Sequence, residues 1–285
     1  MLTTSPSPAA LRWAAATAGP DALVTGVREL GGGMHAATHL ITTSHPTLEL
    51  VLRRFEPGDD AAARETRTLT PLNGLDGFAP TLLASDPLGE FFGEPAVLIS
   101  KLPGTGNITP ADPFDWACQL ARGLARIHAI PTPAGWDNRF TISKPPEHPH
   151  VLTQWDRMQA LPLVTSHVDY WSGNTVWTGE QLSGVVDWAA AALAPRQYDL
   201  AWTRDDMILL YETPEVADAF LAEYQSATDT EIPDMHVWDL WTASRTIGDV
   251  HTWSKGYVDF GRADLTGPEL TRRKTNWLAH LEARI

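Results

Sequence analysis

One cysteine, Cys118, is all the chain has, so no internal disulfide can form. Lysine is nearly as scarce. It occurs only at Lys101, Lys144, Lys255 and Lys274, so a cation needed elsewhere has to be an arginine. No apolar run approaches the ~20 residues required to cross a bilayer, and the longest candidate, WAAAALAP from Trp188, stops at a proline. The opening MLTTSPSPAALRWAAATAG has neither the basic start nor the long apolar stretch of a secretory leader. Basic residues are outnumbered 21 to 35, and a net charge of −14 without a basic stripe repels phosphate backbones. These absences predict a soluble cytoplasmic protein with no nucleic-acid or membrane partner.

What is present is a substantial core. The chain has 285 residues, 43% of them hydrophobic, enough for two domains or lobes. In the first hundred residues, VTGVREL, ATHLITT, LELVLRRF, TLLAS and AVLISKL alternate with period two and predict a small antiparallel sheet. One helix is expected within it, DDAAARETRTLTPL, with acidic residues in its first turn. After SKLPGTG, a hinge candidate, the period becomes helical. In PFDWACQLARGLARIHAI the residues Trp116, Leu120, Leu124 and Ile127 form one stripe. Further helices are predicted over 149–161, 200–211, 214–227, 233–256 and 267–284. The expectation is an α+β chain with a β-rich lobe over 1–102 and a larger, mostly helical lobe over 103–285.

Charge is uneven along the chain. From Asp199 to Asp239 there are 11 acids and one base, Arg204. Such a run reads either as a solvated helical surface or as a cleft that attracts cations.

The chemistry concentrates in SHVDYWSGN, from Ser166 to Asn174, and in TVWTGEQLSGVVDW after it. The latter reads as two short strands about a turn at Thr178-Gly-Glu-Gln181. In that register Asn174 and Asp187 meet at the open end of the hairpin, where two hard oxygen donors suit Mg²⁺. Asp169 lies in the feeding loop, near such a cation without binding it. A carboxylate there could accept a hydroxyl proton beside a metal-bound nucleotide, the minimum that phosphoryl transfer asks of a protein.

The pattern His167-x-Asp169-x-x-x-x-Asn174, followed by Asp187 after an apolar strand, resembles the catalytic loop and metal-binding aspartate of the aminoglycoside phosphotransferase family, relatives of the protein kinases. The resemblance implies a bilobal, protein-kinase-like fold and transfer of the γ-phosphoryl group of ATP or GTP to a small-molecule hydroxyl. It implies Asp169 as the base, supported by His167, with Mg²⁺ held by Asn174 and Asp187. ELGGGMHAATHLI resembles the family's glycine-rich turn, placing Gly32 and Gly33 over the nucleotide phosphates. LELVLRRF resembles the strand with a phosphate-binding cation. Alternation favours Arg53 over Arg54 for that role, and arginine binds phosphate bidentately. Glu65 resembles the helix glutamate that pairs with this cation, and AVLISKLPG, with Ser100 and Leu102, the segment whose backbone meets the base. Asp199 in the later QYDLAW matches a position that braces the catalytic loop. The chain departs from the family at Val168, where glycine is usual.

Plainer readings stand beside these. Gly31-Gly32-Gly33 alone can be a flexible hairpin, Arg53 and Arg54 a solvated edge pair, and Glu65 an exposed helix residue. Asp199 can be a helix N-cap. Trp171, Trp188 and Trp202 can wall a cation site or simply fill the core. His148-x-His150 with His167 could bind zinc, although the surrounding prolines argue for an extended loop. The acidity favours a cationic acceptor such as an aminoglycoside. Choline-like, amino-sugar, macrolide and homoserine-type acceptors, or a catalytically silent nucleotide-binding module, are the alternatives.

Overall fold

A computed structural model describes residues 5–30, 36–140 and 145–285. It contains two compact units, one of residues 1–104 with 183–190, the other of 105–182 with 191–285.

The first unit opens with a helix the sequence reading did not anticipate, α1 (Pro8–Ala18), started by the Ser7 hydroxyl accepting from the Ala10 amide and by Pro8 at the first helical position. Five antiparallel strands follow, β1 (Leu23–Glu29), β2 (Ala37–Ser44), β3 (Glu49–Arg54), β4 (Leu82–Asp86) and β5 (Ala96–Ser100), in the order β1-β2-β3-β5-β4. Period-two alternation gives this sheet two different faces. Leu50, Leu52, Leu98 and Ile41 pack on Ala10 and Ala14 of α1. Arg53 points to the opposite face, toward α2 (Ala61–Leu72). The acids expected in the first turn of α2 lie before it instead. Asp59 accepts from the Ala61 amide, and Asp60 is the flanking residue. A short side chain that can bond the backbone ahead of it favours the cap over the helix body.

The second unit carries α3 (Pro113–His128), α4 (Pro149–Gln159), β6 (Leu163–Ser166), β7 (Thr175–Thr178), β8 (Gln181–Val185), β9 (Ala192–Pro195), α5 (Arg196–Tyr211), α6 (Pro214–Thr228), α7 (Met235–Thr246), α8 (Ser254–Asp259) and α9 (Gly267–Glu282), with the boundary falling inside β8. Strands β6 and β9 pair antiparallel, and β7 and β8 form the ribbon expected about Gly179 and Glu180. In α3 the Asp112 carboxylate caps the Phe114 and Asp115 amides, and the stripe Trp116, Leu120, Leu124 and Ile127 is fully buried.

Two helix boundaries correct the expectation. The single helix predicted over 233–256 ends at Thr246, at a Gly248-Asp249 break that costs helical propensity, and resumes as a 3₁₀ turn and α8. Helix α5 begins at Arg196, directly after Pro195, so Asp199 lies inside its first turn and is no N-cap. The acid run from Asp199 to Asp239 is also neither a solvated face nor a cleft throughout. Asp199, Asp205, Asp206 and Asp239 are all buried. Lys274 pairs with Asp205 and Arg204 with Asp239, because a buried carboxylate requires a partner.

Candidate active site

The loop 167–174 is fixed by one face of α5. Residues at i, i+3, i+4 and i+7 share a helix face, and here those are Asp199, Trp202, Thr203 and Asp206. Asp199 accepts from the amides of His167 at 2.9 Å and Val168 at 2.8 Å. Trp202 Nε1 donates to Asp169 Oδ1 at 3.1 Å. The Thr203 hydroxyl donates to the Tyr170 carbonyl at 2.6 Å, and Asp206 accepts from the Ser172 amide at 3.0 Å. From α3, His128 stands 3.2 Å from Asp199 and 2.7 Å from the Tyr224 hydroxyl. Burial raises the Asp206 carboxyl above its ordinary range, against the hydrogen bonds from Ser172 and Tyr257 that lower it.

Asn174 lies beside Asp169. Its Nδ2 donates to the Asp169 carbonyl at 2.9 Å and to Oδ2 at 3.0 Å, so the amide turns its oxygen away from the aspartate. Gly173 is required by packing, since a Cβ there would fall 2.2 Å from the Trp171 ring. His167 is completely buried, with its ring against Tyr170.

Val168, the departure from the family pattern, adopts φ 72°. A β-branched side chain in that region is a true outlier, at a cost of ~1–3 kcal/mol. The two amide bonds to Asp199 hold it there. In an ordinary buried site alanine is preferred to glycine by ~0.5–1 kcal/mol. Here the order should invert, with Val168→Gly more stable than Val168→Ala by about 1 kcal/mol, since only glycine relieves the strain. Urea titration of both variants checks it, and alanine coming out ahead would show an unstrained loop.

In the first unit Arg53 bridges two carboxylates, Nη1 to Glu65 at 2.6 Å and Nη2 to Asp187 at 2.9 Å. Arg53 and Glu65 are buried, whereas the Asp187 side chain is 34% exposed. Burial works against the Arg53 charge, but attraction first to Glu65 and then to Asp187 outweighs it and holds the guanidinium above its usual value. Glu65 moves up to about 7, chiefly through burial, with Arg53 opposing and Asp187 adding to the rise. Because the fold binds this proton more tightly than the unfolded chain, the stabilisation is full below about 4.5 and is lost as pH rises through about 7. The stability of wild type relative to Glu65→Gln should therefore fall by on the order of 2–3 kcal/mol across that window. Denaturation midpoints at pH 4.5 and 7.5 measure this, and parallel pH profiles for the two proteins would contradict it.

Arg54 faces Glu94 at 2.8 Å and not the Arg53 cluster. Ser100 exchanges hydrogen bonds with Thr81, its hydroxyl accepting at 2.9 Å, and Leu102 packs so closely on Gly184 that a Cβ there would lie 2.6 Å from Leu102 Cδ1. Gly32 and Gly33 lie outside the described residues. The zinc alternative finds no support. Among the described residues no group of three or more His, Cys, Asp and Glu is placed to hold a metal, and His148 is engaged by Glu282 at 3.4 Å. Of the three tryptophans, Trp188 is core, Trp171 packs on Tyr257 and Phe260, and Trp202 holds Asp169. The roles of Trp202, Thr203 and Asp206 escaped the sequence reading, although their spacing from Asp199 in DLAWTRDD was the available signal.

A five-stranded antiparallel sheet in one unit, and in the other a helical array with a loop clamped by a single helix, make a protein-kinase-like fold. Solved structures share it. Macrolide 2′-phosphotransferase MphH from Brachybacterium faecium matches at 19% identity over 94% of this chain and 96% of its own, with TM-score 0.58. Choline kinase LicA from Streptococcus pneumoniae matches at 16% identity over 90% and 94%, with TM-score 0.62. An ethanolamine kinase from Plasmodium vivax matches at 14% identity over 91% and 83%, with TM-score 0.60. No curated protein sequence matches the chain. The model of the phosphotransferase enzyme family (APH) matches residues 26–241, and the chain belongs to that family. It is a phosphotransferase acting on hydroxyl acceptors. Among the described residues no helix is long and apolar enough to cross a membrane.

Proposed function

We propose that this phosphotransferase moves the γ-phosphoryl group of ATP or GTP to a hydroxyl of a small molecule, with residues 1–102 serving the nucleotide and 103–285 the chemistry and the acceptor. The hydroxyl oxygen attacks the γ-phosphorus, the bond to the β-phosphate oxygen breaks, a nucleoside diphosphate leaves and Asp169 takes the proton. The observation that carries this reading is the immobilised carboxylate of Asp169, held at one oxygen by Trp202 and at the other by Asn174. His167 supports the loop. Arg53, steadied by Glu65, neutralises phosphate charge, Gly32 and Gly33 serve the phosphates as the family resemblance implies, and the backbone around Ser100 and Leu102 meets the base.

Asn174 and Asp187 each have the donor chemistry that suits Mg²⁺. Asn174 commits its nitrogen to Asp169 and keeps its oxygen for a cation, while Asp187 gives one oxygen to Arg53 and stays partly exposed. Bound there, the ion would offset charge on the phosphates.

Net charge favours at long range a cationic acceptor such as an aminoglycoside, which would make the protein a cytoplasmic antibiotic-resistance enzyme. Choline, amino sugars, homoserine and macrolides are the alternatives, and burial of four of the acids between Asp199 and Asp239 weakens the case for a cation. The test is nucleotide consumption across a panel of hydroxylated compounds, with and without Mg²⁺, comparing wild type with Asp169→Asn. A catalytically silent module would bind nucleotide and consume none.

A further inference from the structure

Beside the clamped loop, an aromatic wall is already occupied by a cation of the chain itself. The Arg245 guanidinium lies over Trp241 at 4.4 Å, Trp202 at 5.2 Å and Tyr198 at 5.3 Å. Trp202 is the residue whose ring nitrogen holds Asp169. Arg245 is exposed, and among the described residues no carboxylate is within ion-pair distance of it. It lines a cavity of about 600 Å³ together with Tyr198, Trp241, Arg139 and His148, and the single carboxylate of that lining is Glu147.

Such a wall attracts cations through the negative faces of its rings. With Arg245 spread across three of them, that attraction is spent within the protein, and a cationic ligand would meet repulsion. The Trp241 and Tyr198 planes stand 69° apart, so the guanidinium can lie flat on at most one of them, and contact with ring faces uses none of its N–H donors, which suit a carboxylate or phosphate. In a chain of net charge −14, this lining places Arg245 and Arg139 beside a single acid, Glu147.

We propose that this cavity is the acceptor's anchoring site and that Arg245 receives an acid group, carboxylate or phosphate, carried by the acceptor. The identity of the ligand as the acceptor rests on the phosphotransfer reading above, but it replaces the cationic preference there, which stands on net charge alone. The anion site stands on its own geometry.

Wild type, Arg245→Ala and Arg245→Gln are compared with matched probes, gluconate against sorbitol and glycerol 3-phosphate against glycerol, with ethanolamine as the cationic arm. Binding is read from tryptophan emission, which needs no turnover, and kcat/KM from nucleotide consumption. The expected result is a preference for at least one acid probe over its neutral partner of roughly ten- to a hundred-fold, the range of a charge-assisted hydrogen bond. The preferred member of each pair tells carboxylate from phosphate. The preference should shrink with added salt and collapse in both variants, Arg245→Gln deciding if Arg245→Ala does not fold. Neutral or cationic probes binding as well as the acids, or a preference that survives both substitutions, would overturn the proposal. If the acids bind through Arg245 yet raise no nucleotide consumption, the bound group is not the acceptor and the anion site stands.

Discussion

Asp169→Asn should lower kcat by about 10²–10⁴-fold, the usual contribution of a positioned base, while leaving the KM for nucleotide and the melting temperature close to wild type. The substitution is nearly isosteric. Its amide oxygen can still accept from Trp202 Nε1 and its main-chain carbonyl from Asn174 Nδ2, while the hydrogen bond from Asn174 Nδ2 to Oδ2 disappears, because that donor would now meet another N–H₂ group. A single hydrogen bond of that kind is worth ~0.5–1.5 kcal/mol, too little to unfold the loop while α5 grips it at three further points. The separation of kcat from KM is the informative part. Asp169 enters only once the hydroxyl begins to lose its proton, so its removal weakens the transition state and leaves nucleotide binding intact. Equal turnover in the two proteins would dismiss Asp169 as the base.

The sheet could be read from sequence because its signal is local. Alternation in LELVLRRF separates Leu50 and Leu52 from Arg53, and a strand has no choice but to put them on opposite faces. Ser7 and Pro8 announce helix α1, but the alanine-rich run after them shows no marked apolar stripe to set one face apart. The loop itself was legible by spacing, but its support was not. Trp202 looks like any aromatic in a helix until the fold turns its indole toward Asp169. The fate of the acid run was equally hidden. Composition counts Asp205 and Asp239 as surface charge, and only packing shows that Lys274 and Arg204 neutralise them in the interior. Arg53 and Asp187 are 134 residues apart, so their ion pair is a property of the fold rather than of any motif.

Asp199→Asn should be the most destabilising of the substitutions considered, at about 4 kcal/mol, with a loss of activity to match. The Asp199 carboxylate is fully buried and accepts three ways, from the amides of His167 and Val168 and facing His128. Asparagine has a single oxygen. Its NH₂ group would oppose one of the two amides, leaving a buried donor without a partner at ~1–3 kcal/mol and placing a second donor against it. A further cost falls on Val168, whose left-handed backbone persists only while both amides are held. Released, it would relax toward negative φ and swing Asp169, the next residue, off its line to Trp202. Melting should fall on the order of 10 °C for a chain of this size. The double variant Asp199→Asn with Val168→Gly supplies the discriminating measurement. If the clamp acts by holding a strained residue, glycine at 168 should restore part of the lost stability, whereas simple additivity of the two changes would mean that the carboxylate stabilises α5 and α3 independently of the loop.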